Sequence, residues 1–415
     1  MYIDGLELKN VRTFTDSVMH FVHPDKAFRN GKVENGRAPK LLPKPKLPNV
    51  NLLLGENGSG KTTVLQAIAA AAFGPAARDI LRDPTFVRFG TETADVHSKL
   101  LLHEQDRANG REVDSNLRVH RKGERLIIAS ELGRADPLWE PVYESKNEAF
   151  FVVGYGATRR VERLDVYDPG ARVKSRSPRD LRVLSLFEPS FSLIPLAGWL
   201  PSLKKENHGR YIQVVHLLDT LLNPGEFSFT REQDERGEYL FQRGNTPVPF
   251  QALSDGYRGF IGWVGDLLHH VCFGCPPGRK LADSSGIVLV DEIDLLLHPR
   301  WQMKVIGSIA KALPRMQFIL TSHSPLVAGS LEWMNIIMLE ARAKANRTVV
   351  NPLTQSIHGL DADQILLTEF FGLKTTRAPG KVTQLENLQR KARHGDKAAA
   401  RKIILAMAEG TEAAE

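Results

Sequence analysis

The chain has 415 residues, with 55 Lys and Arg against 48 Asp and Glu, which gives a net charge of +7. This length permits a large core and two or three domains. No apolar run reaches the ~18 residues of a membrane span, and the N-terminus lacks the pattern of a signal peptide. We therefore expect a cytoplasmic protein without membrane contact, whose positive charge permits nucleic-acid binding but does not demonstrate it.

The first predicted elements are strands. Alternating apolar and polar residues predict a strand from Tyr2 to Phe14, with a turn at Asn10, and a second strand from Asp16 to Val22. A Gly-, Pro- and Lys-rich loop follows, from Pro24 to Pro48. The apolar segment Val50–Leu54 then predicts a buried strand.

A glycine-rich loop with the sequence GENGSGKT follows this strand, and a helical segment comes after it. This sequence motif, between a strand and a helix, is typical of a P-loop. It predicts a binding site for a nucleoside triphosphate, ATP, with Mg²⁺. Lys61 is predicted to place its charge at the β- and γ-phosphates, and the Thr62 hydroxyl to ligate Mg²⁺. The predicted nucleotide contacts in this segment are Gly55, Glu56, Asn57, Gly58, Ser59, Gly60, Lys61, Thr62 and Thr63.

The middle of the chain is predicted to alternate strands and helices. Further strands are expected between Ala94 and Ile128, and a buried strand at Phe150–Val153 leads into the sequence GYGATR. The later predicted elements are a helix at Tyr211–Leu222, a hairpin of Glu226–Arg231 with Glu238–Gln242, and an apolar helix at Tyr257–Val271.

A stretch rich in basic residues begins within this region, with acidic residues interspersed. It is either a solvated mixed surface or a contact for a phosphate backbone. Its basic members are Arg159, Arg160, Arg163, Arg172, Lys174, Arg176, Arg179 and Arg182.

The two cysteines, Cys272 and Cys275, form a C-x-x-C pair. A zinc site needs four ligands, and only His269 and His270 lie nearby in the sequence. A redox pair lacks its usual context here. We expect two small buried residues near the end of a helix.

A second nucleotide motif is predicted at Gly286–Val290, a short apolar strand of the parallel-sheet type, which two carboxylates follow. Such a strand brings its last residues to the edge of the sheet where ligands bind. Asp291 is suited to hold Mg²⁺ through water. Glu292 is suited to orient or deprotonate an attacking water.

Two further segments carry candidate site residues. In LSDGYR, residues 253–258, Ser254 and the N–H of Gly256 could receive a phosphate at a helix start, although a plain N-cap would have the same spelling. In TSHSP, which follows a predicted strand at Gln317–Leu320, His323 is either a γ-phosphate sensor or a structural histidine.

Taken together, GENGSGKT, LSDGYR, VLVDEIDLLLHP and TSHSP resemble the ABC-type ATPase heads of the SMC/RecF superfamily, and more narrowly the OLD-like stand-alone ATPases. The segments DEIDLLLHP, GYGATR and GLDADQIL are similar to ATPase subunits of prokaryotic anti-phage systems, such as the Septu and retron-associated ATPases. The resemblance covers roughly residues 1–72, 150–160 and 250–375.

The resemblance implies an α/β fold of the P-loop NTPase, ABC-ATPase type, with a mixed central sheet, an antiparallel β subdomain and a helical lobe. The expected domains are a bilobed head over 1–375 and a basic helical tail over 376–415. Within the head, the P-loop lobe covers 1–160, a helical insertion covers 161–250, and the remaining motifs occupy 251–375.

The resemblance also implies a mechanism. Two copies of the chain form a homodimer with ATP between them, alone or within a higher homo-oligomer. Ser254 and Gly256 then act on the nucleotide of the other copy, and His323 acts on that of its own. Closure then regulates a separate effector, a nuclease or toxin, docked on the helix expected at Leu385–Met407. The signature departs from the usual pattern at Asp255, and no Q-loop glutamine can be assigned, so GYGATR is the candidate for that place.

Three other functions compete with this interpretation. The first is a RecF-like ATPase that binds DNA directly in repair. The second is the nucleotide-binding subunit of a transporter, which the lack of an LSGGQ-type signature disfavours. The third is a scaffold that binds ATP without turnover. This alternative is disfavoured by four intact residues, Lys61, Asp291, Glu292 and His323. No Toprim or HNH pattern is visible, so we expect nucleic-acid cleavage, where it occurs, to belong to another chain.

Overall fold

The computed structural model describes most of the chain, in two compact units that comprise residues 1–359 and 360–415. The described residues are 1–28, 43–103, 112–130, 151–175, 177–222, 227–342, 345–351, 357–368, 371, 373–377 and 379–408. Much of the predicted loop at Pro24–Pro48, and the first residue of each of the strands expected at Phe150–Val153 and Glu226–Arg231, lie outside them. None of the described helices is long and apolar enough to cross a membrane.

The strands and helices of the described residues are as follows. The strands are β1 (Tyr2–Val11), β2 (Phe14–His20), β3 (Val50–Gly55), β4 (Thr93–Leu101), β5 (Glu112–Lys122), β6 (Arg125–Ser130), β7 (Val152–Tyr155), β8 (Arg160–Val161), β9 (Ser192–Leu193), β10 (Phe227–Gln233), β11 (Tyr239–Arg243), β12 (Thr246–Pro249), β13 (Gly286–Val290), β14 (Met316–Ser322), β15 (Ile336–Arg342) and β16 (Arg347–Asn351). The helices are α1 (Lys61–Phe73), α2 (Pro169–Ser175), α3 (Pro178–Leu181), α4 (Leu200–Glu206), α5 (His208–Leu222), α6 (Asp255–Gly274), α7 (Pro299–Ala312), α8 (Pro325–Gly329), α9 (Ala362–Leu366), α10 (Pro379–Arg393) and α11 (Lys397–Ala408).

The central sheet has the strand order β16–β15–β3–β14–β13–β7. Its strands are parallel except β16, which pairs antiparallel with β15. Every residue of β13 and β14 is buried, as expected for parallel strands covered on both faces. Because parallel strands end at the same edge, the loops that follow β3, β7, β13 and β14 all begin there.

A second sheet is wholly antiparallel, in the order β2–β1–β4–β5–β6. Helix α1 contacts strands of both sheets, and twelve of its thirteen residues are buried. A helix that is apolar on all sides needs such a position between layers. The start of α1, which the P-loop delivers, is therefore fixed by packing along the whole helix. The predicted mixed central sheet and antiparallel subdomain are confirmed.

The helical lobe contains α5, α6 and α7, with the small sheet β10–β11–β12 beside them. The predicted hairpin is present as β10 and β11, but the sequence did not predict the third strand β12, which two prolines interrupt. Helix α6 begins at Asp255, two residues before its predicted start, because Ser254 takes the N-cap position.

Two sequence predictions of local structure were wrong. Strand β1 continues past Asn10 to Val11, and the turn lies at Arg12 and Thr13. The tail helix expected at Leu385–Met407 is instead two helices, α10 and α11. Gly395 lies between them with φ at 92°, a left-handed conformation that ends a helix and that glycine adopts at little cost.

Candidate nucleotide-binding and hydrolysis site

The loop between β3 and α1 has the backbone geometry of an anion-binding loop. Gly58 and Gly60 have φ values of 79° and 89°, a region that glycine enters without steric cost. Gly55 is required for another reason, since a Cβ there would lie 2.3 Å from the carbonyl oxygen of Leu339 in β15. The first N–H groups of α1 have no partner within the helix, and so they are available to an anion.

Ser59 is a buried residue of this loop that the sequence singled out only as part of the motif. Its side chain is fully buried, and its Oγ has no hydrogen-bond partner among the described residues. A buried hydroxyl without a partner costs free energy unless another group satisfies it. The loop therefore has a polar group that a ligand could satisfy, while Glu56 and Asn57 are exposed at its tip.

Lys61 is buried at the start of α1 and folds back over the loop. Its Nζ donates hydrogen bonds to the carbonyl oxygens of Gly55 at 2.8 Å and Glu56 at 3.1 Å. Burial lowers the pKa of Lys61, and the nearby carboxylates of Asp291 and Glu292 oppose that shift. The ammonium is thus a poorly solvated cation held beside the loop.

His323 contacts Lys61 directly. The distance from Lys61 Nζ to His323 Nε2 is 2.6 Å. Burial, and then the charge of Lys61, lower the pKa of His323 from its ordinary value. The neutral imidazole is therefore favoured, with Nε2 accepting from the ammonium, an assignment of tautomer that follows from the hydrogen bond. The loop after β14 thus brings His323 to the P-loop of the same chain.

Asp291 joins the P-loop to the two central strands. Its Oδ2 accepts a hydrogen bond from Thr62 Oγ1 at 2.7 Å, and its Oδ1 accepts one from Thr321 Oγ1 at 2.6 Å. Its main-chain N–H donates to the carbonyl oxygen of Tyr155 at 2.8 Å. The sequence did not predict a role for Thr321, although it belongs to the TSHSP segment. The carboxylate and the Thr62 hydroxyl form a pair of hard oxygen atoms at the sheet edge.

Glu292 has a constrained backbone. Its φ is 47°, in the left-handed region that non-glycine residues seldom occupy. Its N–H donates to Thr321 Oγ1 at 2.7 Å, and its carbonyl oxygen accepts from Arg159 Nη2 at 2.6 Å. Backbone strain of this kind persists only where the surroundings enforce it, and it is common at functional sites.

Arg159 comes from GYGATR, the segment that follows β7. Burial lowers the pKa of its guanidinium to about 10, against the opposing effect of Asp291, Asp294 and Glu292. The group remains charged near neutral pH. Its Nη1 is buried without a hydrogen-bond partner among the described residues. Arg159 was predicted as a member of the basic stretch and as the last residue of GYGATR, but its contact with the segment that carries both carboxylates was not predicted.

Tyr155, in the same segment, ties helix α6 to the central sheet. Its hydroxyl donates to Asp266 Oδ2 at 2.8 Å, and Asp266 Oδ1 accepts from the N–H of Ile194 at 2.8 Å. Burial and the neighbouring Asp266 raise the pKa of Tyr155 well above its ordinary value. The Tyr155 hydroxyl therefore stays protonated and donates its hydrogen bond to Asp266. This bond links helix α6 to strand β7.

Ser254 and Gly256 form a separate group. Ser254 is the exposed N-cap residue of α6, and its side chain makes no capping hydrogen bond. A Cβ on Gly256 would lie 2.1 Å from the carbonyl oxygen of Leu296, so this glycine permits close packing on the loop after Glu292. Among the described residues, no hydrogen bond joins Ser254 or Gly256 to residues 55–63 of the same chain.

The two cysteines lie at the end of α6, as the sequence predicted. Both are buried and both are free thiols. Burial raises the pKa of Cys272 to about 11, which keeps it in the unreactive thiol form.

Residues 50–329 match a protein family described as "AAA domain, putative AbiEii toxin, Type IV TA system". The chain is 26% identical over 358 residues to a Septu protein PtuA of Bacillus mycoides, covering 85% of this chain and 44% of that protein. It is 23% identical to a Septu protein PtuA of Bacillus thuringiensis, covering 80% of each. A retron Ec83 probable ATPase of Escherichia coli is 33% identical over 28% of this chain and 21% of that protein. The chain thus spans less than half the length of the first of these relatives.

Among solved structures, an SMC head bound to the C-winged helix domain of ScpA superposes with a TM-score of 0.52 at 16% identity, covering 85% of this chain and 98% of that one. An SMC head with an extended coiled coil, bound to a ScpA domain from Pyrococcus furiosus, gives a TM-score of 0.50 at 17% identity, covering 85% and 96%. These two likenesses confirm the ABC-type head fold. The motif resemblance to Septu and retron ATPases is confirmed by the relatives.

Proposed function

This chain belongs to the family described as "AAA domain, putative AbiEii toxin, Type IV TA system", and we propose that it is a regulatory ATPase of an anti-phage defence complex. In this proposal it binds ATP with Mg²⁺, closes with a second copy of itself around the nucleotide, and opens again on hydrolysis. The two states control a separate effector protein, a nuclease or toxin. A cytoplasmic location is part of the same proposal.

One observation carries the ATPase assignment. Direct hydrogen bonds within a single chain join the P-loop, the two carboxylates after β13 and the TSHSP segment at the end of β14. Thr62 bonds to Asp291, Thr321 bonds to Asp291 and to the N–H of Glu292, and Lys61 contacts His323. A glycine-rich turn of purely structural use would not need a buried ammonium, two carboxylates and an imidazole at one sheet edge. Such a set is suited to phosphoryl chemistry.

The residues fit a triphosphate and a magnesium ion. The buried Ser59 hydroxyl without a partner and the left-handed Gly58 and Gly60 leave the loop ready to accept an anion. Thr62 and Asp291 supply two hard oxygen atoms, and Mg²⁺ usually takes one or two protein oxygens together with phosphates and waters. When bound there, the ion neutralises charge that develops on the phosphates.

The chain's own residues then have separate roles. Lys61 exchanges its contacts with the loop carbonyls for the phosphates, where a poorly solvated cation binds strongly. Glu292 holds the attacking water in line and accepts its proton. Neutral His323 stays beside Lys61 and reports on the terminal phosphate. Arg159 and Thr321 hold the Glu292 backbone in its left-handed conformation.

The proposed dimer is supported by the lack of any hydrogen bond between Ser254 or Gly256 and the P-loop among the described residues of the chain. The N-cap of α6 is exposed and its serine hydroxyl is not used for capping. If two copies related by a two-fold axis close on each other, Ser254 and Gly256 of each copy would reach the nucleotide bound by the other copy. ATP would then favour the closed state because only that state makes both sets of contacts.

The defence role is supported by the relatives, two of which are named Septu protein PtuA and one retron Ec83 probable ATPase. The basic stretch gives little support to the DNA-repair alternative. Arg159 bonds to Glu292, and Arg172 pairs with Glu162 and stacks on Phe191. Arg163 is paired with Asp165. These side chains are engaged within the chain, which leaves fewer cations for a phosphate backbone.

The test uses the purified chain and its Glu292→Gln and Lys61→Ala variants. We expect wild type to hydrolyse ATP, and Glu292→Gln to bind ATP with unchanged affinity but turn over at least about a hundredfold more slowly. With ATP, Glu292→Gln should remain dimeric in light scattering, whereas Lys61→Ala should stay monomeric. If Glu292→Gln hydrolyses ATP like wild type, or if ATP leaves the mass of every variant unchanged, the proposal fails.

A further inference from the structure

A cavity lies beside Ser254 and Gly256, and none of its lining residues belongs to the P-loop of the same chain. Its volume is about 450 Å³, within the ~300–1,000 Å³ range of small-ligand sites. The end of β11, the start of α6, the loop after Glu292 and the first turns of α7 form its walls. Tyr257 and Trp301, with ring centroids 4.8 Å apart, brace α6 against α7, so the cavity is built on packed elements.

Of the Arg, Lys, Asp and Glu residues of the chain, those that line this cavity are all cationic. Three cationic side chains line it, Arg243, Arg300 and Lys304, and no Asp or Glu is among its lining residues. Arg300 and Lys304 are exposed, and neither forms an ion pair with another described residue. Like charges placed close together repel one another, and so Arg300 and Lys304 favour an anionic ligand.

The segment LSDGYR, at the start of α6, carries a negative charge that these cations can offset. Asp255 places a carboxylate at the start of α6, between Ser254 and Gly256, where a phosphate would otherwise be favoured. Arg258, one turn later, pairs with Asp255 and neutralises part of this charge. Even so, a helix start that carries a carboxylate is a weaker anion site than one with a neutral residue. Binding a triphosphate there needs further positive charge nearby.

We propose that Arg243, Arg300 and Lys304 bind the phosphates of the ATP held by a second copy of the chain, and so complete the half-site formed by Ser254 and Gly256. This inference rests on the proposed ATP-bridged dimer and adds the residues that give that dimer its charge complementarity. In the closed dimer, the P-loop of one copy faces the cavity of the other. The ATP phosphates and the exposed tip of that P-loop then lie in the cavity. Each copy supplies one cavity and one P-loop.

A mixing experiment tests whether these residues act on the other copy's nucleotide. One chain carries Lys61→Ala and keeps its cavity; the other carries Arg300→Glu with Lys304→Glu and keeps its P-loop. Each alone should lose at least about tenfold of its ATPase rate, since a repulsive charge replaces an attractive one. Mixed in equal amounts, they should hydrolyse ATP faster than the sum of the two separate rates, because each mixed two-fold dimer has one site with an intact P-loop and an intact cavity.

Two controls make the result specific. Lys311→Glu, an exposed charge reversal on the same helix α7 but outside the cavity, should hydrolyse ATP like wild type. The cavity variant, at concentrations where it is monomeric, should bind a fluorescent ATP analogue like wild type and unfold at the same temperature.

The outcomes separate this inference from the function on which it rests. A reference mixture of Lys61→Ala with Ser254→Arg tests the dimer site itself. If that mixture recovers activity and the cavity mixture does not, the cationic cavity has no role in trans and the inference is wrong. The same conclusion follows if the cavity variant alone is fully active. If the reference mixture also fails, the ATP-bridged dimer is wrong and the inference falls with it.

Discussion

Arg159 Nη2 donates a hydrogen bond to the main-chain carbonyl oxygen of Glu292 at 2.6 Å, across 133 residues of sequence. The two residues follow β7 and β13, which are neighbouring parallel strands. Glu292 has a φ of 47°, so the contact holds a strained peptide next to the carboxylate we assign to water activation. The segment GYGATR after β7 contains no glutamine, and its arginine bonds to the backbone of Glu292.

We predict that Arg159→Lys lowers the turnover number for ATP by about 10–100-fold, the range expected for losing a hydrogen bond from a charged group at about 1.5–3 kcal/mol. The KM for ATP should change little, because Arg159 positions Glu292 and does not contact the P-loop. Steady-state kinetics measure both. Arg160→Lys, at the exposed neighbouring position, is the control and should behave like wild type. An unchanged turnover number for Arg159→Lys would show that Arg159 does not position Glu292.

Thr321→Val should damage both stability and turnover. The buried hydroxyl donates to Asp291 and accepts from the N–H of Glu292, and valine of similar shape leaves both groups without a partner. The expected loss is about 1–3 kcal/mol of unfolding free energy, together with a reduced ATPase rate. Denaturant titration and an ATPase assay give the two values. Thr321→Ser keeps the hydroxyl and should retain most of both, and equal losses in the two variants would contradict this account.

Gly256→Ala should block ATP-driven dimerisation while leaving ATP binding by the monomer intact. The new Cβ would lie 2.1 Å from the carbonyl oxygen of Leu296, so the start of α6 or the loop after Glu292 must shift. Light scattering with the slowly hydrolysing Glu292→Gln background measures the dimer. Gly259→Ala lies one turn further along α6, where a Cβ meets nothing within 4 Å, and should dimerise normally. Dimerisation of both variants to the same extent is the result that would refute the prediction.

His269 should make the protein sensitive to acid. Burial lowers the pKa of His269 to about 3, from an ordinary value of 6.5. Below pH 6.5 the unfolded chain therefore binds a proton at this residue that the folded chain does not bind until about pH 3. Stability is retained above pH 6.5 and lost as the pH falls through this window, by about 1.4 kcal/mol per pH unit.

Denaturant titrations at pH 7.5, 6 and 5 test this prediction. The wild type should lose stability on acidification relative to His269→Phe, a variant whose ring can keep the contacts with Trp199 and Phe273. His216→Gln, at an exposed position on α5, is the control and should follow the wild type. Parallel stability curves for wild type and His269→Phe would mean that His269 is not the acid-sensitive group.

The local motifs and the class of fold could be predicted from the amino-acid sequence. The P-loop, the strand that ends in Asp291 and Glu292, and the position of His323 each depend on residues adjacent in the chain, whose spacing a strand or a turn converts directly into geometry. The buried parallel strands could be recognised because burial on both faces leaves an uninterrupted apolar run. The break between α10 and α11 at Gly395 was not predicted, because glycine within a helical pattern does not by itself reveal a left-handed backbone.

The contacts between residues far apart in the chain depend on tertiary packing and could not be predicted from the sequence. The contact of Arg159 with Glu292 depends on β7 lying next to β13, and that of Thr62 with Asp291 depends on β14 lying between β3 and β13. The close approach of Leu296 to Gly256, and the cations gathered from β11 and α7, likewise come from packing between elements far apart in the chain. Strand order and helix packing follow from the burial of the whole core, and no local pattern contains that information.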